Sequence, residues 1–254
     1  MMMKAKYIVL LFLVLGSFYS QAQDFTTELS QAELSYSESK YDTAALIYQS
    51  ILDEGYHSSE LYYNLGNCYF KLNEIPSAIL NYERALKFDP NNDNIQYNLN
   101  LCNSLIPDRI DKMPELFFIQ WYKGLYNYFP IDVWAKIIIA LLVLFSVFML
   151  LYFLSSKMFL RKMGFWAAML FLLFFVFSFF LTTQKYASFK KHNQAIIFTP
   201  SITVKSSPAK NSVDLFVVHE GTKVFIMDQV GNWKKIKIQN GSIGWVETEN
   251  MVII

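Results

Sequence analysis

Two apolar runs, Ile137–Leu154 and Met163–Leu181, hold no charged residue and are separated by eight residues, Ser155 to Lys162, three of which are Lys157, Arg161 and Lys162. Each matches the roughly 17–25 residues a helix needs to cross a hydrocarbon layer. Inside that layer a helix satisfies every backbone N–H and C=O within its own segment. The pair reads as a transmembrane hairpin, with spans over 132–155 and 163–183 and a cytoplasmic turn over 156–162. An even number of crossings returns the chain to the side it left, so the residues before and after the hairpin form modules in one compartment. The runs also account for a hydrophobic content of 54% and an aromatic content of 17%, both high for a chain folded entirely in water.

The first residues indicate the compartment. Lys4 and Lys6 form a basic head, Tyr7–Leu15 an apolar centre too short to span, and Ser20-Gln21-Ala22 a small-residue cleavage site. This predicts a signal peptide over 1–22 and export of the residues after it. The hairpin turn and the flank with Lys185, Lys190 and Lys191 carry three basic residues each, so the positive-inside count is tied. Export plus two spans predicts an inner (cytoplasmic) membrane protein with both modules in the periplasm and the lipid bilayer as a partner.

The region over 25–105 repeats itself. A shift of thirty-four residues carries Tyr63-Asn64-Leu65 onto Tyr97-Asn98-Leu99, Cys68 onto Cys102, Ala44 onto Ala78 and Tyr48 onto Tyr82. That period belongs to the tetratricopeptide repeat, a pair of antiparallel helices stacked into a solenoid. Tyr62, Leu65-Gly66, Tyr69, Ala78, Tyr82, Ala85 and Pro90 follow the spacing of that family in the middle copy. The pattern predicts repeats at 25–58 and 59–92 and a half repeat over 93–105. Small Gly66 and Ala78 permit close helix approach, and Pro90 stops the second helix. Two and a half copies fall short of the three or so that bury a continuous core. The segment over 106–131, rich in aromatics from Leu116 to Tyr126, is read either as an interfacial helix or as a cap on the last repeat.

Resemblance to the repeat family implies that the first helix of each pair lines a peptide-binding groove. In this chain that selects Tyr36, Tyr63, Asn67, Phe70, Lys71 and Tyr97. Asn offers donors and an acceptor to a peptide backbone, and Tyr offers contact area at low entropic cost. Cys68 and Cys102 occupy equivalent positions in stacked copies, so their side chains run parallel and are not expected to pair.

Beyond Lys191 the pattern changes to short alternating strands beginning at Ile196, Ile202, Leu215, Lys223, Trp233, Ser242 and Met251. Ser207-Pro208, Glu220-Gly221, Gly231-Asn232 and Asn240-Gly241 punctuate them as turns. The order resembles the bacterial Src-homology-3-like domain over 195–254, which implies a small all-β barrel. Trp233 alternates with Lys235 and Lys237 against Ile236 and Ile238, which places it on the wetter face as a candidate ligand contact. Trp245 reads as core.

The three histidines, His57, His192 and His219, have no metal-ligand spacing, and no phosphate loop or nucleophile elbow is present. The spans hold no ionisable group at mid-depth, which argues against transport. A net charge of +1 gives no footprint for nucleic acid. The sequence predicts no catalytic residue, no metal and no cofactor. The fold class is a multidomain membrane protein: an all-α helical repeat solenoid, a two-helix transmembrane hairpin and a small all-β barrel.

This order of parts resembles the BatE-type proteins of the Bacteroides aerotolerance (Bat) operons, and the Asn-, Lys- and Phe-rich composition is similar to that of Bacteroidetes proteins. The resemblance implies a non-enzymatic scaffold in an aerotolerance or envelope-stress complex, with von Willebrand factor A-domain Bat membrane proteins as partners. The alternative is a cell-wall sensor whose β module binds peptidoglycan peptide.

Overall fold

The computed structural model describes residues 25–110, 114 and 116–254. The predicted signal peptide over 1–22 lies outside the described residues. Among the described residues five helices come first: α1 (Thr26–Ser37), α2 (Tyr41–Asp53), α3 (Ser59–Lys71), α4 (Ile75–Phe88) and α5 (Asp93–Leu105). The thirty-four-residue period is written into the backbone as well as the side chains. Ser58 and Asn92 cap α3 and α5, accepting from the N–H of Leu61 and Ile95. Ser39 and Asn73 both take positive φ, 62° and 63°, at the turns inside the two pairs. There the N–H of Lys40 reaches Ser35 O and that of Glu74 reaches Tyr69 O, each at 2.9 Å. Capping and left-handed turn residues thus recur at the positions where helices must start and stop. Ala44, Tyr48, Ile51, Leu65, Ala78, Ile79 and Tyr82 fill the space between the helices.

The C-terminal module is one antiparallel sheet of seven strands: β1 (Gln194–Ile197), β2 (Ser201–Lys205), β3 (Asp214–His219), β4 (Lys223–Val230), β5 (Trp233–Lys237), β6 (Ile243–Glu247) and β7 (Met251–Ile253). Its order is β3-β2-β6-β5-β4-β1-β7, so β3 and β7 are the edge strands and the expected barrel does not close. The reason is visible at β7. Arg84 Nη2 donates to Ile253 O at 3.0 Å and Lys87 Nζ to Ile254 O at 2.8 Å, so side chains of α4 occupy the edge that a closing strand would need.

That contact joins the two modules. In β1, Ala195 and Ile197 face the core of the sheet, whereas Ile196 and, after β7, Ile254 enter the core of the repeats. The run Ala195-Ile196-Ile197-Phe198 is continuously apolar because both of its faces are covered. The sheet, rather than the aromatic helix of the segment over 106–131, covers the repeat core here. Glu83 and Lys223 form a half-buried ion pair at 2.6 Å across the seam. Just after α5, Ile106 packs on Gly221, whose φ is +81° and where an added Cβ would stand 2.5 Å from Ile106 Cγ2. Asp108 takes three hydrogen bonds at 2.7 Å, from the His219 N–H, the His219 ring and the Thr222 hydroxyl.

The segment before the hairpin forms α6 (Phe117–Asn127), followed by α7 (Ile131–Leu154) and α8 (Met158–Lys190). Helix α6 packs on α8 rather than on the last repeat, through a small core of Tyr126, Trp134 and Leu181, with Trp134 Nε1 donating to Tyr126 O at 3.1 Å. Its link to the repeats is Asn91, which donates to Asn127 O at 3.0 Å. α7 and α8, of mean hydropathy 3.0 and 2.4 in their most apolar windows, are long and apolar enough to cross a membrane. Residues 158–162 are helical, so the turn is the three residues 155–157. At 33 residues α8 is about 50 Å long, well beyond the roughly 30 Å of a hydrocarbon core. Its last turns reach the repeats, where Phe189 meets Phe88 edge-on at 5.0 Å.

Asp108 provides a test of the seam. Burial opposes its ionisation, but the hydrogen bonds from the His219 N–H, the Thr222 hydroxyl and the His219 ring outweigh that and hold the carboxyl below its usual range. A depressed folded pKa contributes stability that is complete above the unfolded value, about 3.9, and is lost as pH falls through the folded value. Asp108→Asn is expected to cost about 1–3 kcal/mol at neutral pH by leaving buried donors unpaired. Thermal unfolding as a function of pH should show the gap between wild type and variant constant above pH about 5 and shrinking below about 4.

Candidate functional site

The sequence-selected groove residues lie on α1, α3 and α5, the first helices of each pair. On α3, Tyr63 and Asn67 are one helical turn apart and share a partner on α5: Asn98 Nδ2 donates to Tyr63 Oη at 3.2 Å and to Asn67 Oδ1 at 3.0 Å. Tyr82, fully buried on α4, threads its hydroxyl between the helices and also donates to Asn67 Oδ1, at 2.8 Å. It can do so because Gly66 leaves room: a Cβ there would lie 2.7 Å from Tyr82 Cε1. Burial pushes the Tyr82 phenol far above its ordinary value, so it acts as a hydroxyl donor.

Tyr36, on α1, is half-buried against the repeat core and meets Tyr41 edge-on at 5.1 Å. Burial raises its pKa, and Cys68, Tyr41 and Tyr63 add to the effect. Phe70 is half-buried on the same core. Lys71 is exposed at the end of α3 and makes no ion pair among the described residues. Tyr97 is 70% exposed and takes no part in the Asn98 network. The structure thus joins Tyr63 and Asn67 through Asn98, places Tyr36 and Phe70 on the repeat core, and leaves Lys71 and Tyr97 exposed. Asn98 and Tyr82 are the members that sequence reasoning missed. The signal was present, since Asn98 is the repeat of Asn64 and sits beside the selected Tyr97.

On the sheet, β5 alternates as expected. Lys234, Ile236 and Ile238 are buried, while Trp233, Lys235 and Lys237 are half-exposed. Trp233 borders a polar cleft of about 300 Å³ with Thr199, Thr203, Lys205 and Glu247. Trp245 departs from its expected core position. It is half-buried, paired in register with Lys205 and Lys235, because β6 turns Gly244 and Val246 inward instead.

Cys68 and Cys102 are free and buried. Burial raises their pKa values to about 12 and about 11, so both are protonated thiols at neutral pH. Among the described residues no group of three His, Cys, Asp or Glu side chains is placed to hold a metal ion.

A family model for the tetratricopeptide repeat matches residues 59–92, the pair α3–α4 that carries Tyr63, Asn67 and Tyr82. No curated protein matches the chain. Tetratricopeptide repeats are non-catalytic scaffolds, and the match points to a role in protein–protein interaction.

Gly66→Ala tests the packing that holds Asn67 in place. The Tyr82 ring must shift to admit the methyl group, so a loss of about 1–3 kcal/mol is expected, read from thermal unfolding of the full chain in detergent. Tyr82→Phe, which keeps the ring and drops the hydroxyl, is expected to cost less, about 0.5–1.5 kcal/mol.

Proposed function

We propose that this chain is a membrane-anchored, periplasmic, non-enzymatic scaffold, in which α7 and α8 cross the inner membrane and the repeats bind a partner protein. The observation that carries the reading is the array on α3 and α5. Asn67 Oδ1 is taken by two internal donors and Asn98 Nδ2 by two internal acceptors. That leaves the Asn67 amide as donor and Asn98 Oδ1 as acceptor, the complement of one C=O and one N–H on an extended peptide. Tyr36, Tyr63 and Phe70 supply the flanking contact area, with Lys71 and Tyr97 at its rim.

Placement of both modules on one side of the bilayer is supported by their direct contact. Ile196 and Ile254 cannot enter the repeat core from across a membrane. The order of parts, with the β module read as a bacterial Src-homology-3-like domain, favours a Bat-type aerotolerance or envelope-stress complex and von Willebrand factor A-domain membrane proteins as partners.

Two measurements test this. Crosslinking followed by purification from membranes should recover a partner with the wild type and at least tenfold less with Asn67→Ala/Asn98→Ala. Equal recovery defeats the groove. A reporter active only in the cytoplasm, fused after Ile254, is expected to stay silent, and activity there defeats the topology.

The Trp233 cleft favours a second reading, a cell-wall sensor that binds peptidoglycan peptide, because an aromatic side chain lines it together with charges of both signs, Lys205 paired with Asp214 and Glu247 with Lys210, which a zwitterionic peptide could engage. Retention of the full chain on purified sacculi that is lost with Trp233→Ala would favour this reading over the scaffold.

A further inference from the structure

Where the repeats, α6, α8 and the sheet converge there is a cleft of about 490 Å³ that neither the groove nor the Trp233 site uses. Lys87, Lys185 and Lys191 line it against one carboxylate, Glu83. That carboxylate is already committed to Lys223 at 2.6 Å. The cleft therefore carries an excess of positive charge, and low-dielectric walls concentrate its field.

Lys185 makes the case specific. It is 2% exposed, and its ammonium donates to Phe129 O at 2.5 Å. Among the described residues it has no carboxylate within ion-pair distance. An ammonium carries three donors; Lys185 spends one on a neutral carbonyl, and Asp89 attracts it from beyond ion-pair distance, so an anion in the cleft would complete its shell. Lys191, by contrast, is exposed at the mouth of the cleft, and its side chain makes no hydrogen bond or ion pair among the described residues.

The position of the cleft selects the anion. The apolar run of α8 ends at Leu181, and the wall of the cleft begins three residues later at Gln184. Helix α6, which supplies the facing wall, turns Phe117 and Trp121 outward, 81% and 73% exposed. Such aromatics favour the headgroup layer of a bilayer, and ammonium groups at that depth can make charge-assisted hydrogen bonds to a lipid phosphate.

We propose that this cleft binds a phosphate group through Lys185 and Lys191, and that the phosphate is the headgroup of an anionic phospholipid. The source of the phosphate rests on the reading that α7 and α8 cross a membrane, whereas the phosphate site itself does not.

The test uses the full chain in an uncharged detergent, titrated with short-chain phosphatidylglycerol, short-chain phosphatidylcholine and inorganic phosphate, followed by tryptophan fluorescence. Phosphatidylglycerol is expected to bind at least tenfold more tightly than the other two, and Lys185→Gln/Lys191→Gln is expected to lose at least tenfold of that affinity. Thermal unfolding checks that the double variant folds. Should it not fold, Lys191→Gln alone, at an exposed position, is expected to weaken binding at least threefold. Unchanged affinity in a folded variant overturns the site. Inorganic phosphate binding as tightly as phosphatidylglycerol overturns the lipid assignment. Alkaline carbonate extraction of membranes reads anchoring separately, since release of the wild type would defeat the spanning helices while leaving the detergent titration interpretable.

Discussion

A stack of two and a half helical pairs has an apolar end it cannot cover by itself, and the way that end is closed governs the rest of this molecule. Ile196 and Ile254 reach out of the sheet into the repeat core and are almost wholly removed from water. Burial of each side chain is worth about 1.5–3 kcal/mol. The ionic contacts at the same seam contribute less to net stability, because a desolvated pair such as Glu83–Lys223 surrenders hydration for what it gains. Their part is register. Asp108 holds the turn at 219–222 in one place, Gly221 lets Ile106 lie flat against it, and Arg84 and Lys87 occupy the backbone of the last strand. Apolar burial supplies the adhesion and the polar contacts choose the position.

The same seam explains why the sheet stays open. A strand edge left bare invites pairing with another chain. Here the β7 edge is used up on α4, so the sheet gains from docking what a barrel would gain from closure. α8 then joins the assembly from a third direction, with Phe189 against Phe88 and Lys185 against Phe129 O. On the proposed anchoring, a helix that is continuous from the bilayer to its contact with Phe88 of the repeats constrains the tilt of the groove relative to the membrane.

Much of this is legible in the chain and some of it is not, for physical reasons. Periodicity is a local signal, so the helical pairs over 59–92 and the seven strands can be read directly from residue spacing. The left-handed turns at Ser39 and Asn73 share the same period but carry no common residue type, and only the backbone reveals them. Docking is a long-range property. Asp108 sits in an unremarkable stretch between Pro107 and Arg109, and its partner His219 reads as a turn histidine. Ile254 reads as the end of a strand. Nothing in the neighbourhood of any of these residues indicates that they meet. Hydropathy underestimates the length of α8 because it marks the lipid-facing run and not the helix, which continues through Thr182-Thr183-Gln184 and beyond. Trp245 is misplaced from sequence because a large aromatic is a poor guide to facing direction when Gly244 and Val246 set the alternation.

On the proposed function, rigidity also changes how the groove and the Trp233 cleft would cooperate. If the groove and the Trp233 cleft were joined by a flexible tether, the second binding event would be helped by an effective concentration set by tether length. The seam removes that freedom, because the sheet and the repeats share a core rather than a linker. A partner that touches both surfaces must present its two contacts at one fixed separation and orientation. One that does so avoids most of the entropic cost of ordering a tether, and one that does not gains nothing from the second site. Selectivity between partners then comes from geometry more than from the strength of either surface, which is the property a scaffold built from two weak sites requires.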